Sequence, residues 1–322
     1  MDMTQAFTDF LAATRPTPAQ RDAAIAGHRG LRERLQADPD LSGRIVATFL
    51  QGSYRRATAL RPSEREPLDV DVVVVTDLSR ERTTPEQALR LFRPFLQRHY
   101  PNKWATQGRS LGIELSSVDL DLVVTSAPSR ADLLRVEEQA TAIDEDRSPS
   151  LAELEAWRME PLYVPNREIS RWEPTHPLAQ IAWTRAKNAK CNGHYVGVVR
   201  AIKWWRRIQP SLPKHPKSYP LEHLVGDCCP DGIRSVAEGL ARTFEVMVTR
   251  YEPAVMVGRR PVLPNHGVPQ QDVLARVPTD DFVVFIHAAT QAAKRAEEAL
   301  KERDPGESER RWRELLGGKF SS

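Results

Sequence analysis

The sequence predicts an α+β fold of two lobes, a mixed-sheet lobe followed by a mainly helical lobe. In the first half of the 322-residue chain, short β-branched runs alternate with amphipathic helical segments. Beyond Pro174 the strand patterns stop, and long segments of helical period follow. The length favours two domains at roughly 150 residues each, and we predict them at residues 1–165 and 166–322.

In the first half, apolar side chains recur at helical spacing in two segments, and β-branched or apolar runs predict strands. The predicted helices cover residues 18–36 and 85–99, and the first of them would be the spine that joins the lobes. The predicted strands cover residues 45–50, 68–75, 104–108, 110–116 and 118–124. Pro128 and the acidic run at residues 144–146 indicate a long surface connection.

The second half is predicted to consist of helices separated by proline-rich breaks. The predicted helices cover residues 175–190, 192–207, 219–225, 233–251 and 280–302. We expect the charged tail from Arg303 to fray, because its apolar patch is small. That patch comprises Trp312, Leu315 and Leu316.

The composition narrows the classes of function. No run approaches the ~20 apolar residues of a membrane span, and the N-terminus lacks a signal-peptide pattern. A cytoplasmic protein without membrane contact is therefore expected. Three cysteines are too few for a disulfide framework, and no Cys-x-x-Cys occurs, so we expect small buried side chains. The formal net charge of +3 does not indicate stable nucleic-acid binding.

Two acidic residues occupy the start of the strand predicted at residues 68–75. Side chains alternate along a strand, so Asp69 and Asp71 project to the same side. Two neighbouring carboxylates repel each other and are costly to desolvate beside an apolar run. A divalent cation would compensate for both effects. The alternative is a solvated strand end, which is the more frequent meaning of an isolated Asp-x-Asp.

The surrounding motifs favour a cation site at Asp69 and Asp71 over a solvated strand end. Gly52 and Ser53 follow a predicted strand, where a sharp turn can present backbone N–H groups and a hydroxyl to a phosphate. Asp119 and Asp121 share one face of a later strand, and one of them would complete a three-carboxylate site if the two acidic strands are neighbours. Such a site can hold two Mg²⁺ ions, with Mn²⁺ as the alternative, about 3.5–4 Å apart for nucleotidyl transfer. We favour Asp121 as the third ligand, because it directly precedes an apolar run, and keep Asp119 as the fallback. The alternative to a metal site is again a solvated strand face.

The order of these motifs resembles that of the polymerase β-like nucleotidyltransferases. Gly-Ser-Tyr-Arg-Arg-Ala-Thr at residues 52–58, followed by Leu-Asp-Val-Asp at residues 68–71, is similar to the cGAS/DncV-like nucleotidyltransferases (CD-NTases), the bacterial relatives of cyclic GMP-AMP synthase. The resemblance covers residues 18–251, with an insertion at residues 61–67. It implies a polymerase β-like fold whose helical lobe closes over the active site. The implied metal ligands are Asp69, Asp71 and Asp121, and Asp121 would help to deprotonate the attacking ribose hydroxyl.

The helical half resembles the same family in two motifs. Val-Val-Arg-Ala-Ile-Lys-Trp-Trp at residues 198–205 is similar to the helix whose lysine reaches the nucleotide triphosphate, which implies this role for Lys203. Lys-His-Pro-Lys-Ser-Tyr-Pro-Leu-Glu at residues 214–222 implies a phosphate contact for Ser218 and base stacking for Tyr219. Without the resemblance, these three residues would be interpreted as structural.

The resemblance also implies a function. CD-NTases make cyclic oligonucleotide second messengers in anti-phage defence, so we expect NTP substrates (ATP, with GTP or a pyrimidine NTP), Mg²⁺ and a cyclic di- or trinucleotide product. A downstream effector would read the product, and the family is compatible with a regulatory protein partner. Two alternatives stay open, nucleotidyl transfer to a protein or RNA acceptor and a catalytically silent nucleotide-binding module. The three carboxylates and the Gly-Ser turn favour an enzyme.

Overall fold

A computed structural model of the chain describes residues 1–63, 67–127, 129 and 160–320. By its contacts the chain divides into two compact units. The sheet unit comprises Pro16–Arg56 and Pro62–Ala182, and the helical unit comprises Met1–Arg15, Ala57–Arg61 and Trp183–Ser322. The surface connection predicted around Pro128 and residues 144–146 lies outside the described residues.

Helices and strands alternate in the first half of the chain, and helices alone follow the last strand. In chain order the described elements are α1 (Thr4–Thr14), α2 (Pro18–Ala37), β1 (Ile45–Gln51), α3 (Gly52–Arg55), β2 (Leu68–Thr76), α4 (Pro85–Leu91), α5 (Arg93–His99), β3 (Trp104–Thr106), β4 (Leu111–Glu114), β5 (Val118–Ser126), β6 (Leu162–Asn166), β7 (Arg171–Thr175), α6 (Pro177–Lys190), α7 (Tyr195–Arg207), α8 (Ser218–Cys228), α9 (Val236–Met256), α10 (Thr279–Lys301) and α11 (Pro305–Leu316).

The sheet is mixed, which confirms the predicted fold class. Its strand order is β1-β2-β5-β4-β3, and β6 and β7 continue from β5. β2 and β5 pair in parallel, whereas the other neighbours are antiparallel. The β-branched run of β2 is fully buried from Val72 to Val75, because β2 lies between two other strands and α2 covers part of the sheet.

Three features of the structure were not expected from the sequence pattern. Helix α1 and the hairpin of β6 and β7 were not predicted, and the helix expected at residues 85–99 is two helices, α4 and α5. Pro94 explains this break, since a proline lacks the N–H that a continuous helix would use and its ring disfavours helical backbone before it.

The expectation that the tail from Arg303 frays is wrong. Residues Pro305–Leu316 form α11, and Asp304 accepts a hydrogen bond from Glu307 N as its N-terminal cap. The Trp312 ring is fully buried and meets the Phe7 ring edge-on, with 5.0 Å between ring centroids. The tail is ordered by this contact with α1, which no pattern within the tail could reveal.

The helical unit has an apolar core centred on α7, α9 and α10. The Trp205 ring lies 4.9 Å from Phe244 and 5.9 Å from Phe285 between ring centroids, which joins the three helices. The three cysteines are free and buried, as expected, and burial raises the pKa of Cys191 to about 12. In the part of the chain that the structure describes, every helix is too short or too polar to cross a bilayer.

Candidate active site

Gly52 begins the single helical turn α3, where the chain leaves β1. Its φ of +75° lies in the left-handed region that favours glycine. A Cβ atom at this position would lie only 1.8 Å from Oδ2 of Asp71. Gln51, the preceding residue, pairs with Asp71 across β1 and β2. The Gly-Ser turn therefore lies directly against one of the two predicted metal ligands of β2, and only glycine fits there.

The parallel pairing of β2 with β5 brings the two acidic strands together. Asp69 is paired with Asp119, and Asp71 with Asp121. The predicted three-carboxylate site required the two Asp-x-Asp strands to be neighbours, and this condition is met. Because directly paired residues of neighbouring strands point to the same side, the four carboxylates lie on one face of the sheet.

Three of these carboxylates form a cluster that could hold a metal ion. One oxygen each from Asp69, Asp71 and Asp121 lies within 4.8 Å of the other two. Among the described residues this cluster does not include Asp119, whose pKa is raised by burial and by the neighbouring charge of Glu114. Of the two candidates for the third ligand, the cluster thus contains Asp121.

The electrostatics of the cluster match a cation site. Partial burial, followed by the charges of Asp71, Asp121 and Asp119, raises the pKa of Asp69 to about 8. Burial and the charge of Asp71 raise the pKa of Asp121 to about 6. The Asp69 side chain nevertheless keeps access to solvent, so an ion could reach it. Crowded carboxylates of this kind are stabilised when a divalent cation supplies the missing positive charge.

A glutamine that the sequence analysis missed contacts this cluster. Nε2 of Gln107 donates a hydrogen bond to Oδ1 of Asp121 at 3.0 Å. Gln107 lies at the turn between β3 and β4, and β4 pairs with β5. The available signal was weak, since it consisted only of a polar residue in a predicted hairpin beside the second acidic strand.

The predicted ligands Lys203, Ser218 and Tyr219 belong to the helical unit rather than to the sheet unit. The Lys203 side chain is buried, and its Nζ donates hydrogen bonds of 3.0 Å to the Thr58 carbonyl and to Oε1 of Glu222. Glu222 was not predicted, because the pairing needs α7 and α8 side by side. The proposed triphosphate contact of Lys203 stays a prediction.

Ser218 and Tyr219 form the start of α8. Ser218 is exposed and is the first residue of the helix. The Tyr219 hydroxyl accepts a hydrogen bond of 3.0 Å from Nδ2 of Asn265, and its ring centroid lies 4.6 Å from that of His223. The tyrosine ring is thus held in a defined orientation. Base stacking by Tyr219 stays a prediction.

Comparison with known proteins identifies the family. Residues 1–127 match the family described as Second Messenger Oligonucleotide or Dinucleotide Synthetase domain. A cyclic AMP-AMP-GMP synthase of Enterobacter hormaechei subsp. hoffmannii (strain UCI 50) is 42% identical over 351 residues, which cover 99% of this chain and 92% of that protein. The chain belongs to the CD-NTase family. A probable cyclic AMP-AMP-GMP nucleotide synthase of Salmonella paratyphi B is 41% identical to this CD-NTase over the same shares of the two chains.

The fold of this CD-NTase also resembles that of solved relatives. The CdnC protein of E. coli MS115-1, solved with ATP, superposes with a TM-score of 0.71 at 19% identity, and the match covers 99% of each chain. At this identity the likeness concerns the fold alone, and it confirms the predicted polymerase β-like architecture. The family model and the two relatives described above, rather than the fold, show that this CD-NTase is a nucleotidyltransferase, as predicted.

Proposed function

We propose that this CD-NTase condenses ATP and GTP into a cyclic trinucleotide and releases one pyrophosphate for each bond formed. In each step a ribose hydroxyl attacks the α-phosphorus of an NTP, a phosphodiester forms, and the bond to pyrophosphate breaks. The observation that supports this most directly is the cluster of Asp69, Asp71 and Asp121 beside the Gly52 turn. The adenine and guanine bases are suggested by the two relatives that are described as cyclic AMP-AMP-GMP synthases.

The three carboxylates fit Mg²⁺ or Mn²⁺ in their chemistry. Both ions prefer oxygen ligands, and the oxygens of this cluster converge within 4.8 Å. Asp69 and Asp71 would hold two ions, and Asp121 would hold the ion on the side of the attacking hydroxyl. When bound, such ions lower the pKa of that hydroxyl and neutralise the developing charge of pyrophosphate. Asp121 would also help to accept the hydroxyl proton.

The remaining residues are proposed to hold the nucleotide. The backbone at Gly52 and the Ser53 hydroxyl would bind the triphosphate, together with Lys203 and Ser218, and Tyr219 would stack on a base. These roles are supported by the family resemblance of the motifs. For Lys203, a phosphate would have to replace or share the charge-assisted bond to Glu222, which is the acidic partner of its ammonium group beside the Thr58 carbonyl.

Product analysis tests the proposal. Purified protein would be incubated with Mg²⁺ and all four NTPs, and products that survive phosphatase would be identified by chromatography with mass spectrometry. We expect a cyclic trinucleotide of two adenylates and one guanylate, and none from Asp69→Asn or Asp71→Asn. Folded wild-type protein that gives no cyclic product in any NTP mixture would refute the proposal. A mass shift on tRNA or on a co-expressed protein would instead support transfer to an acceptor.

We also propose that the product acts as a cytoplasmic second messenger in anti-phage defence, where a downstream effector reads it. The proposal rests on the family membership of the chain. Cells that express the protein with its neighbouring genes would be challenged with phage, alongside cells with the Asp69→Asn/Asp71→Asn protein. Equal plaque numbers on both strains, at equal protein levels, would argue against this role. A regulatory protein partner also stays a prediction, and co-purification from these cells would test it.

A further inference from the structure

The turn between β3 and β4 contacts the carboxylate of Asp121 through a hydrogen bond. Nε2 of Gln107 donates to Oδ1 of Asp121 at 3.0 Å, and the Ser110 hydroxyl donates to Oε1 of Gln107 at 2.9 Å. Ser110 is buried, so its hydroxyl is held in place beside the amide. The three side chains form a chain of hydrogen bonds that ends on a carboxylate of the acidic cluster.

The direction of these hydrogen bonds is chemically defined. An amide nitrogen can only donate and an amide oxygen can only accept, so Gln107 donates to Asp121 and accepts from the Ser110 hydroxyl. The Ser110 hydroxyl stabilises this orientation by donating to that carbonyl. The arrangement therefore suits Asp121 in its ionised state, which is the state that a metal ligand needs.

Several contacts within the sheet unit fix the position of the turn. The Gln107 N–H donates to the Ser110 carbonyl at 2.9 Å and closes the two-residue hairpin. The Arg109 guanidinium pairs with Glu173 of β7 at 2.5 Å. The Gly108 carbonyl accepts a hydrogen bond of 3.0 Å from the backbone N–H that follows β6. The turn is thus tied to the neighbouring hairpin of β6 and β7.

A glycine on β4 makes room for the contact. Gly112 pairs with Asp121 across β4 and β5. A Cβ atom at Gly112 would lie 2.5 Å from Nε2 of Gln107 and 3.4 Å from Oδ1 of Asp121. Any side chain here would therefore displace the amide from the carboxylate. At the matching position beside Asp119, β4 carries Glu114 instead.

We propose that Gln107, oriented by Ser110, is a positioning residue that holds the Asp121 carboxylate in the orientation that completes the divalent-cation site. This inference rests on the proposed metal site. By fixing one oxygen of Asp121, Gln107 limits rotation of the carboxylate and directs its remaining lone pairs toward the cluster. Outer-shell partners of metal ligands typically change metal affinity by about 10–100-fold, and we expect the lower end, since the Gln107 side chain is exposed to water.

The test measures metal binding directly. Wild type, Gln107→Met and the matched control Gln97→Met, an exposed glutamine on α5, would be titrated with Mn²⁺ in the presence of a non-hydrolysable ATP analogue. Free Mn²⁺ would be followed by electron paramagnetic resonance. We expect the Mn²⁺ dissociation constant of Gln107→Met to rise about tenfold, with that of Gln97→Met unchanged. In turnover, the Mg²⁺ concentration for half-maximal rate should rise likewise, while the ATP KM at saturating Mg²⁺ stays unchanged.

The variants separate the inference from the proposed function. If Asp121→Asn does not weaken Mn²⁺ binding, the proposed metal site fails. If Asp121→Asn weakens binding but Gln107→Met behaves as Gln97→Met does, only the positioning role is overturned. A purely structural role would lower the melting temperature without changing the Mn²⁺ dissociation constant. Should Gln107→Met fold poorly, Ser110→Ala replaces it, with an expected rise of about threefold for loss of one hydrogen bond, and an unchanged constant would overturn the inference.

Discussion

Replacement of Gly52 by alanine should abolish most of the activity with only a modest loss of stability. The left-handed backbone at Gly52 disfavours a side chain by about 1–2 kcal/mol. The new Cβ would lie 1.8 Å from Oδ2 of Asp71, whereas a Cβ atom essentially never lies closer than 3.0 Å to such an atom. The carboxylate or the turn must therefore shift by about 1.2 Å, the difference between these distances. A displacement of this size within a catalytic constellation lowers the rate about 100-fold.

Gly193 provides a matched control for the backbone strain. It also has a positive φ, +83°, but a Cβ there would meet no atom within 4 Å. Gly193→Ala should thus lower the melting temperature about as much as Gly52→Ala, by roughly 2–8 °C, and leave activity intact. The assay is pyrophosphate release at saturating NTP and Mg²⁺, beside differential scanning fluorimetry. If Gly52→Ala retains the rate of Gly193→Ala, the close approach of the turn to Asp71 has no catalytic importance.

Three further predictions follow from contacts in the two units. In metal-free protein the Asp69 pKa of about 8 lies above its ordinary 3.8, so protonation of Asp69 favours the folded state. The melting temperature in EDTA should therefore fall as the pH rises from about 5 to about 8. Asp69→Asn should flatten this pH dependence. Lys203→Met and Glu222→Leu should each lower the unfolding free energy by about 3–5 kcal/mol, because each breaks a buried ion pair by removing one of its members. The double variant should recover part of the loss, and additive losses in urea unfolding would contradict the pairing. Asn265→Leu and Tyr219→Phe should each raise the ATP KM by about 3–10-fold, because each removes the hydrogen bond between Asn265 and the Tyr219 hydroxyl. The double variant should raise the KM no further. Unchanged KM values would count against base stacking by Tyr219.

The sequence alone was sufficient for features that depend on local pattern. The β-branched run of residues 68–75 is β2, since such residues fit a strand buried on both faces. Strand alternation was enough to place Asp69 and Asp71 on one side. The Gly-Ser turn followed from its position after an apolar run. The order of these motifs indicated the family, and the comparisons confirm that membership.

Contacts between distant segments could not be predicted in the same way. The burial of Lys203 against Glu222 requires α7 and α8 to pack together, and the order of the tail requires Trp312 to meet Phe7 of α1. Neither contact leaves a periodic signal in its own segment. Such pairings depend on the tertiary arrangement, where burial and charge neutralisation override the local pattern.

Which aspartate provides the third carboxylate of the cluster depends on the tertiary structure rather than on the sequence pattern. Alternation places Asp119 and Asp121 on the same face of β5, so the sequence offered both as the third carboxylate on the condition that β2 and β5 are neighbours. The pairing partners on β4 distinguish them. Glu114 lies opposite Asp119 and adds a like charge, whereas Gly112 lies opposite Asp121 and leaves space for the Gln107 amide. Strand register, which is a long-range property of the folded sheet, therefore sets the surroundings in which Asp121 joins the cluster, and its role as a metal ligand stays a prediction.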